Sequence, residues 1–359
     1  MVSLPPNSSR NPYASEEFFQ QLLRKAVAAG ARDVHIKVGQ PPAARVRDEL
    51  VYFRVDKIKP ADTEAVAHHV IQDAHILEQL GTLLEHDCSY AVQGVGRFRV
   101  NVYRQRGTLA VVMRAIPHNI PTLEQLGAPA ACADLARKDR GLVLCVGAAG
   151  NGKSSTLAAM IGLMNRSMAR HIVTIEDPIE FLHQDERSSV SQREIGMDTH
   201  SFANALRASL RQDPDVIQVG EIRDGETMEI ALKAAETGHL VLSTLHTPDV
   251  QRTMNRVFAL AEGDHEELRM RLADSLQGII AQRLLPRVDG QGMALAAEVL
   301  VATGSVRESI RRPMGNPPLK ELMESGEHPY GMQTFTMAIK RLVQAGVLDR
   351  ELARQQMGF

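Results

Sequence analysis

The segment 147–154 restricts the fold of this chain more than any other stretch of its sequence. It reads Gly-Ala-Ala-Gly-Asn-Gly-Lys-Ser and fits the pattern G-x-x-x-x-G-K-[ST]. It follows the apolar run 141–146 and precedes the helical pattern of 153–165. A glycine-rich turn between a buried strand and a helix is typical of a phosphate-binding loop. The sequence therefore predicts a nucleotide site on an α/β sheet.

Each part of this loop has a chemical task. Its glycines let the backbone bend so that successive N–H groups face phosphate oxygens, and the helix amino terminus adds partial positive charge. Lys153 would reach the β- and γ-phosphates of a nucleotide, and the Ser154 hydroxyl would bind Mg²⁺. The residues predicted to bind the nucleotide here are Gly147, Ala148, Ala149, Gly150, Asn151, Gly152, Lys153, Ser154 and Ser155.

The 359 residues are enough for two ordinary domains. Residues 1–14 show no signal-peptide pattern and are predicted to be a disordered lead. Helical and strand patterns in 15–115 predict a small α/β domain. Two prolines in 116–122 indicate a linker, and 123–359 are predicted to form the second domain.

The second domain shows regular alternation of strand and helix patterns. Such alternation is typical of a mostly parallel sheet with helices on both faces. From about residue 249 the pattern is largely helical, apart from a strand-like stretch at 294–301. The earlier predicted strands are 141–146, 172–175, 216–219 and 240–242.

Charge and composition exclude several classes of protein. The formal net charge of -2 disfavours a broad nucleic-acid footprint, so no nucleic acid partner is expected. No apolar run reaches the roughly 18 residues of a membrane helix. The 3 cysteines are far apart, so neither a disulfide framework nor a zinc site is expected, and a cytoplasmic location is favoured.

Two carboxylates follow later predicted strands. Glu176 ends one of them, at the edge where doubly wound sheets bind ligands. It could hold Mg²⁺ through water or orient the attacking water, although an acidic surface turn is the simpler interpretation for this cluster alone. Glu221 follows the strand 216–219 and is the best candidate to polarise water. The alternative for Glu221 is a strand-end ion pair with Arg223.

Two histidines bracket the next apolar strand. His246 stands at its exit, near the expected position of a γ-phosphate, and could sense whether that phosphate is present. His239 stands at its entrance, where a packed or surface role is nearly as well supported. A lone histidine is seldom functional, so the case for His246 depends on the other three clusters.

Four segments together resemble one family. The loop, TIEDPIEF, SFANALRASLRQDPDVIQVGEIRD and AAETGHLVLSTLHT are similar, in this order, to the Walker A, Asp box, Walker B and His box of secretion and pilus ATPases. The runs ARDVHIKVGQPPAARV, GRFRVNVYRQRG and GMQTF resemble the PilT-type retraction ATPases in particular. The sequence also lacks the extra N-terminal domain and four-cysteine insertion of pilus-extension and type II secretion relatives.

This resemblance implies a PAS-like N-terminal α/β domain and a RecA-like P-loop ATPase domain with a helical C-terminal part. It implies a homohexameric motor that hydrolyses ATP with Mg²⁺ and powers type IV pilus retraction and twitching motility. It further implies a place at the inner face of the cytoplasmic membrane. The implied partners are a platform protein of the PilC type and paralogous pilus ATPases.

Matching positions also imply residue roles. Glu221 would be the catalytic carboxylate, assisted by Glu176 and His246, and the metal would lie at Ser154 and Glu176. His239 and His246 would be the His-box residues. Arginines of the N-terminal domain contact the nucleotide region in this family. The arginines in the matching strands are Arg99, Arg104 and Arg114.

The sequence departs from the family pattern in two places. Ala148, Ala149 and Asn151 stand where Pro, Thr and Ser are usual, which should preserve the loop because backbone amides bind the phosphates. Residues 305–311 read SVRESIR where AIRNLIR is usual, with Ser305 and Glu308 as the main differences.

Two other functions stay open at this point. One is an accessory ring subunit that binds nucleotide but contributes little force, as a paralogue of the main motor would; the 305–311 segment is its support. The other is a DNA- or protein-secretion ATPase of the VirB11-like or Dot/Icm-like kind, which shares the four boxes. The near-neutral charge and the N-terminal match weigh against that second alternative.

Overall fold

The chain divides into two compact units, Met1–His118 and Asn119–Phe359. Residues 1–10 of the predicted lead and residues 117–118 of the predicted linker lie outside the described residues. The computed structural model describes residues 11–47, 49–116, 119–260 and 264–357.

The first unit contains a six-stranded antiparallel sheet in the order β3-β2-β1-β6-β5-β4. Period-two alternation in β5 buries Phe98, Val100 and Val102, which join a core shared with helices α1 and α2. The elements are α1 (Glu16–Ala28), β1 (Ala31–Lys37), β2 (Ala43–Val46), β3 (Glu49–Tyr52), α2 (Pro60–Val70), α3 (Ala74–Glu78), β4 (Glu85–Val92), β5 (Gly96–Gln105) and β6 (Thr108–Ala115).

The end of the predicted lead is ordered. Pro12–Ala14 forms a 3₁₀ turn, and Tyr13 is buried with its ring edge-on to Phe18 at 5.2 Å. Ser15 then caps α1, because its side chain accepts a hydrogen bond from the backbone N–H of Phe18. The prediction of a disordered lead is therefore wrong for residues 11–14, since an aromatic side chain anchors them.

The second unit is built on a seven-stranded sheet in the order β13-β12-β7-β11-β10-β8-β9. All neighbouring strands are parallel except the pair β12 and β13. Its elements are α4 (Ala131–Ala136), β7 (Gly141–Val146), α5 (Lys153–Ser167), β8 (His171–Glu176), β9 (Ser189–Glu194), α6 (Phe202–Ser209), β10 (Val216–Val219), α7 (Gly225–Glu236), β11 (Leu240–Leu245), α8 (Val250–Leu260), α9 (His265–Ser275), β12 (Leu276–Pro286), β13 (Met293–Val301), α10 (Gly304–Arg311), α11 (Leu319–Ser325), α12 (Phe335–Gln344) and α13 (Arg350–Met357).

Apolar cores lie on both faces of this sheet. Every residue of β7 and β11 is buried, which explains why these strands read as continuous apolar runs. Because β7, β8, β10 and β11 are parallel, their carboxyl ends meet at one edge of the sheet. The predicted α/β class with a mostly parallel sheet is confirmed.

The prediction of a largely helical region after residue 249 is wrong for β12. This strand pairs parallel to β7 and antiparallel to β13, so it lies inside the sheet rather than at its edge. Burial on both faces removes the polar alternation that marks a half-buried strand, so its sequence resembles a helix. Across the described ranges, each helix is too short or too polar to cross a membrane.

A substitution at Gly278 can test whether β12 lies inside the sheet, between β7 and β13. A Cβ added at Gly278 would lie 2.8 Å from the carbonyl oxygen of Leu300 and 2.8 Å from Cδ2 of Leu135. We expect Gly278→Ala to lower the free energy of unfolding by about 1–3 kcal/mol, because the Leu300 carbonyl belongs to the β12–β13 ladder and cannot move freely.

The matched control is Gly304→Ala at the first residue of α10, where an added Cβ meets nothing within 4 Å. This control should be neutral or slightly stabilising, since alanine favours helix over glycine. Thermal unfolding of the two variants checks the prediction, and equal midpoints would contradict it.

Candidate active site

A cleft of about 230 Å³ opens at the carboxyl edge of the parallel sheet, beside the amino end of α5. The loop between β7 and α5 forms one wall, and the ends of β8, β10 and β11 form the others. The structure brings residues of all four predicted clusters into this cleft. They are Lys153, Ser154, Glu176, Glu221 and His246.

A larger cleft of about 370 Å³ lies among α8, α11, α12 and α13, and it contains none of the predicted site residues. Its buried carboxylate, Glu298, accepts hydrogen bonds from the backbone N–H groups of Val250 and Phe335. Glu298 thus caps the amino ends of two helices, which is a structural role.

Strand β12 holds the phosphate loop from one side. Gly147 has φ +145°, and a Cβ there would lie 2.6 Å from the carbonyl oxygen of Gln282. Oδ1 of Asn151 accepts a hydrogen bond from the backbone N–H of Leu284 at 3.1 Å. The asparagine that departs from the family pattern therefore anchors the loop to the neighbouring strand.

The loop residues differ in their access to the cleft. Ala149, Gly150, Lys153 and Ser154 line it. Because α5 begins at Lys153, its first N–H groups lack helical partners and can bind an anion. The remaining predicted loop residues, Gly147, Ala148, Asn151, Gly152 and Ser155, shape the turn or continue the helix without lining the cleft.

Lys153 is 8% exposed, and its ammonium lies over the loop. Nζ donates hydrogen bonds to the carbonyl oxygens of Gly147 at 2.9 Å and Ala148 at 3.0 Å. Burial lowers the pKa of Lys153, while Cys145 and the carboxylates Glu221 and Glu180 oppose this effect. A phosphate on the loop would compete with these two carbonyls for the ammonium.

Glu176 is buried rather than part of a solvated acidic turn. Its Oε1 accepts hydrogen bonds from Oγ1 of Thr174 at 2.6 Å and from Nε2 of Gln192 at 3.0 Å. Burial raises the pKa of Glu176, and the two hydrogen bonds oppose that rise. Gln192 comes from β9, an edge strand with a polar sequence that the apolar pattern did not predict.

Glu221 follows β10 and Gly220, with its side chain 15% exposed. One carboxylate oxygen pairs with Arg223, and the other lies 3.2 Å from Nε2 of His246. Arg223 also lies 3.6 Å from a carboxylate oxygen of Asp177. The ion pair between Glu221 and Arg223, which was the alternative interpretation, is thus present in the structure. Glu221 also lines the cleft.

His239 does not lie in the cleft. It precedes the 6-residue strand β11, and its carbonyl oxygen accepts a hydrogen bond from the N–H of Gly141 at the start of β7. Such a strand is about 20 Å long, which places His239 at the opposite edge of the sheet from His246. The structure therefore does not bring His239 together with the other predicted site residues, and its binding of nucleotide stays a prediction.

The three N-terminal arginines have different surroundings within their own unit. Arg104 donates to the carbonyl oxygens of Leu80, Gly81, Leu83 and Gly107, at 2.9 to 3.0 Å. These four hydrogen bonds hold local turns within the first unit, and contact of Arg104 with the nucleotide region stays a prediction.

Arg99 and Arg114 are neighbours across β5 and β6. Arg114 pairs with Asp33 through Nε at 2.7 Å, although its side chain is 64% exposed. The side chain of Arg99 is exposed. Contact of either arginine with the nucleotide region stays a prediction.

The sequence prediction missed several polar residues that line the cleft, among them Gln218 and His183. Gln218 stands in the middle of β10 and is 7% exposed, and His183 lies in the segment after β8. Burial lowers the pKa of His183 to about 4, so the ring is neutral at physiological pH. A glutamine within the apolar run Val-Ile-Gln-Val was the signal that could have identified Gln218.

The oxygen donors in the cleft fit Mg²⁺ better than a softer metal. Ser154 offers a hydroxyl, Glu176 a carboxylate, and Gln218 an amide whose Oε1 has no hydrogen-bond partner among the described residues. In the part of the chain that the structure describes, no group of three or more His, Cys, Asp or Glu side chains could hold a metal alone. Mg²⁺ commonly binds through one or two protein oxygens together with water and phosphate.

The parallel sheet, the glycine-rich loop and the buried lysine at a helix start define a P-loop nucleotide-binding domain. Residues 11–328 match the family of type II/IV secretion system proteins. The chain belongs to this family, and the resemblance inferred from its four boxes is confirmed. Members of this family are ATPases, so the predicted class of enzyme, an ATP hydrolase, is confirmed.

Relatives cover almost the whole chain. It is 39% identical over 337 residues to the type IV pilus retractation ATPase PilT of Pseudomonas aeruginosa, covering 94% of this chain and 97% of the relative. It is 41% identical over 337 residues to the type IV pilus ATPase PilU of the same organism, covering 93% and 87%. The solved structure of the pilus retraction motor PilT with bound ADP superposes with a TM-score of 0.83, at 40% identity, over 94% of this chain and 96% of that chain.

Burial of Glu176 leads to a prediction about pH. Because its pKa is raised in the folded state, ionised Glu176 destabilises the fold above that pKa, and the penalty fades as pH falls toward the ordinary value of 4.5. Glu176→Gln keeps an acceptor oxygen for Thr174 and Gln192 without the charge. We expect this variant, free of nucleotide, to have a higher melting temperature than wild type at pH 8, with the difference shrinking toward pH 5.

Melting temperatures across this pH range check the prediction. Asp289→Asn serves as the control, because this exposed carboxylate has a lowered pKa beside Arg287 and should show the opposite sign. A constant or growing difference between Glu176→Gln and wild type at lower pH would contradict the prediction.

Proposed function

We propose that this chain is a Mg²⁺-dependent ATPase that assembles as a homohexamer and powers the retraction of type IV pili. The observation that carries the proposal is the convergence of Lys153, Ser154, Glu176, Glu221 and His246 on one cleft. Relatives named for pilus retraction, matched over nearly their full length, support the biological role.

Lys153 and the amino end of α5 supply the positive charge for a triphosphate. The ammonium would exchange the carbonyls of Gly147 and Ala148 for phosphate oxygens, which compensates for the cost of burying it. Ser154 and Glu176 would hold Mg²⁺, which when bound neutralises charge on the phosphate oxygens.

Glu221 is placed to act on the attacking water. Its carboxylate would orient the water and accept a proton as the water oxygen bonds to the γ-phosphorus and the bond to the β–γ bridging oxygen breaks. His246, at 3.2 Å from Glu221, would report loss of the γ-phosphate through the same carboxylate. This contact joins the reacting end of the cleft to the exit of β11.

Force would come from relative movement of two domains, 15–115 and 123–359, joined by residues 116–122. In a ring, the closure of one subunit would act on its neighbour and on a platform protein of the PilC type. We place this ring in the cytoplasm, at the inner face of the membrane, with paralogous pilus ATPases as further partners. These steps follow from the resemblance to pilus retraction ATPases.

The catalytic assignment is tested with Glu221→Gln. We expect ATP hydrolysis to fall by about 10²–10⁴-fold, because the amide cannot accept the proton, while ADP still raises the melting temperature. Glu226→Gln is the matched control, since Glu226 pairs with Arg207 outside the cleft and should keep wild-type turnover. Normal hydrolysis by Glu221→Gln would refute the role of Glu221.

An accessory ring subunit is the second candidate function. It stays open because the chain is as similar to a second type IV pilus ATPase, PilU, at 41% identity, as it is to PilT at 39%. Ser305 on α10 is exposed, and Glu308 lies near Arg311 and Arg312 at 3.8 and 3.9 Å, while Val306 and Ile310 remain buried. Ser305 and Glu308 therefore alter the surface of α10. Val306 and Ser309, where Ile and Leu are usual in the family pattern, are buried, so the departures also change the packing of this helix.

Deletion of the gene with paralogous ATPases intact separates the two functions. Loss of retraction by fluorescently labelled pili supports the motor. Unchanged retraction supports the accessory subunit.

A further inference from the structure

Gln218 is a buried amide in the floor of the cleft. It lies in β10 opposite Thr174 of β8 and Leu242 of β11, and only 7% of it is exposed. Gln192 of β9 lies opposite Thr174 in turn, so three polar residues form a row across neighbouring strands. Gln192 and Thr174 both donate to Oε1 of Glu176. Two members of the row are therefore committed to Glu176, and Gln218 is the third.

The amide oxygen of Gln218 lacks the partner that such burial normally requires among the described residues. Among the described residues, none bonds to its Oε1. Buried side-chain polar atoms are almost always hydrogen-bonded, because an unsatisfied one is costly. A comparably buried glutamine, Gln333, follows the rule: its Nε2 donates to the carbonyl oxygen of Ala297 at 2.7 Å, and its Oε1 accepts from Arg341 at 2.5 Å. Gln218 lines the cleft, and a rotation of its side chain would bring this shielded oxygen to a group that enters there.

The charges around the cleft favour a hydrated cation beside Gln218. Four carboxylates line the cleft, and Lys153 is the lysine among its lining residues. Oε1 of Glu176 accepts the hydrogen bonds from Thr174 and Gln192, and the backbone of Glu180 also donates to this carboxylate. Mg²⁺ retains several of its waters when it binds a protein, and those waters are strong hydrogen-bond donors. The four carboxylates are Glu176, Asp177, Glu180 and Glu221.

We propose that Gln218 is an outer-sphere ligand of the nucleotide-bound Mg²⁺, with its amide oxygen accepting a hydrogen bond from a metal-bound water. This inference rests on the proposed function, since it concerns the metal that accompanies ATP at Ser154 and Glu176. Gln218 is a positioning residue: it touches the water shell of the metal and acts on the phosphates through it. Its loss should weaken the contribution of Mg²⁺ to nucleotide affinity and spare the contribution of the loop.

The test measures ADP affinity in EDTA and across a titration of MgCl₂. For Gln218→Leu we expect wild-type ADP affinity in EDTA and a midpoint of the Mg²⁺ titration about tenfold higher, the usual effect of removing an outer-shell partner. Gln218→Glu keeps an acceptor oxygen and should hold the midpoint at or below the wild-type value. Gln333→Leu, the matched control outside the cleft, should reproduce wild type in both measurements.

Melting temperatures without nucleotide test whether Gln218→Leu changes Mg²⁺ binding without destabilising the fold. Gln218→Leu loses no hydrogen bond from Oε1 and should melt no lower than wild type, whereas Gln333→Leu breaks two bonds and should melt lower. Superimposable Mg²⁺ titrations for Gln218→Leu and wild type would overturn the role of Gln218 and leave the proposed function intact. An equal loss of ADP affinity in EDTA would overturn it too, because the effect would not depend on the metal. Failure of the wild type to bind ADP would overturn the proposed function as well.

Discussion

The close packing of the phosphate loop against β12 is the constraint on which the rest of the site depends. The carbonyl oxygen of Gln282 occupies the space where a side chain at position 147 would lie, and Asn151 binds the next part of the same strand. These two contacts fix the start and the middle of the loop. The first turn of α5, with Lys153 and Ser154, therefore points its N–H groups and side chains at the edge where the strands end.

The balance of charge between one lysine and two carboxylates then determines the chemistry at this edge of the sheet. Lys153 holds its charge in a buried place through two carbonyls, and Glu176 and Glu221 each share their carboxylates with neighbouring donors. Every one of these partners can be exchanged for a phosphate oxygen, a metal or a water. A site arranged in this way is suited to bind a charged nucleotide and to change its internal contacts when the γ-phosphate leaves.

Local pattern and strand order were sufficient to predict that the loop, Glu176 and Glu221 lie together, because parallel strands bring their carboxyl ends to one edge. The same rule, applied to the length of β11, would have shown that His239 and His246 lie at opposite ends of that strand. Arg104 and Gln218 could not be assigned in this way. The carbonyl partners of Arg104 and the missing partner of Gln218 depend on packing between distant segments. Strand β12 was missed because burial on both faces hides its period.

The central claim is that the cleft around Lys153 is where ATP is bound and hydrolysed. A structure of the chain with Mg²⁺ and a non-hydrolysable ATP analogue tests it most directly. We expect that Nζ of Lys153 leaves the carbonyls of Gly147 and Ala148 and lies about 3 Å from phosphate oxygens, with Glu221 facing the γ-phosphate. Phosphates bound elsewhere, with Lys153 still on the two carbonyls, would contradict the account.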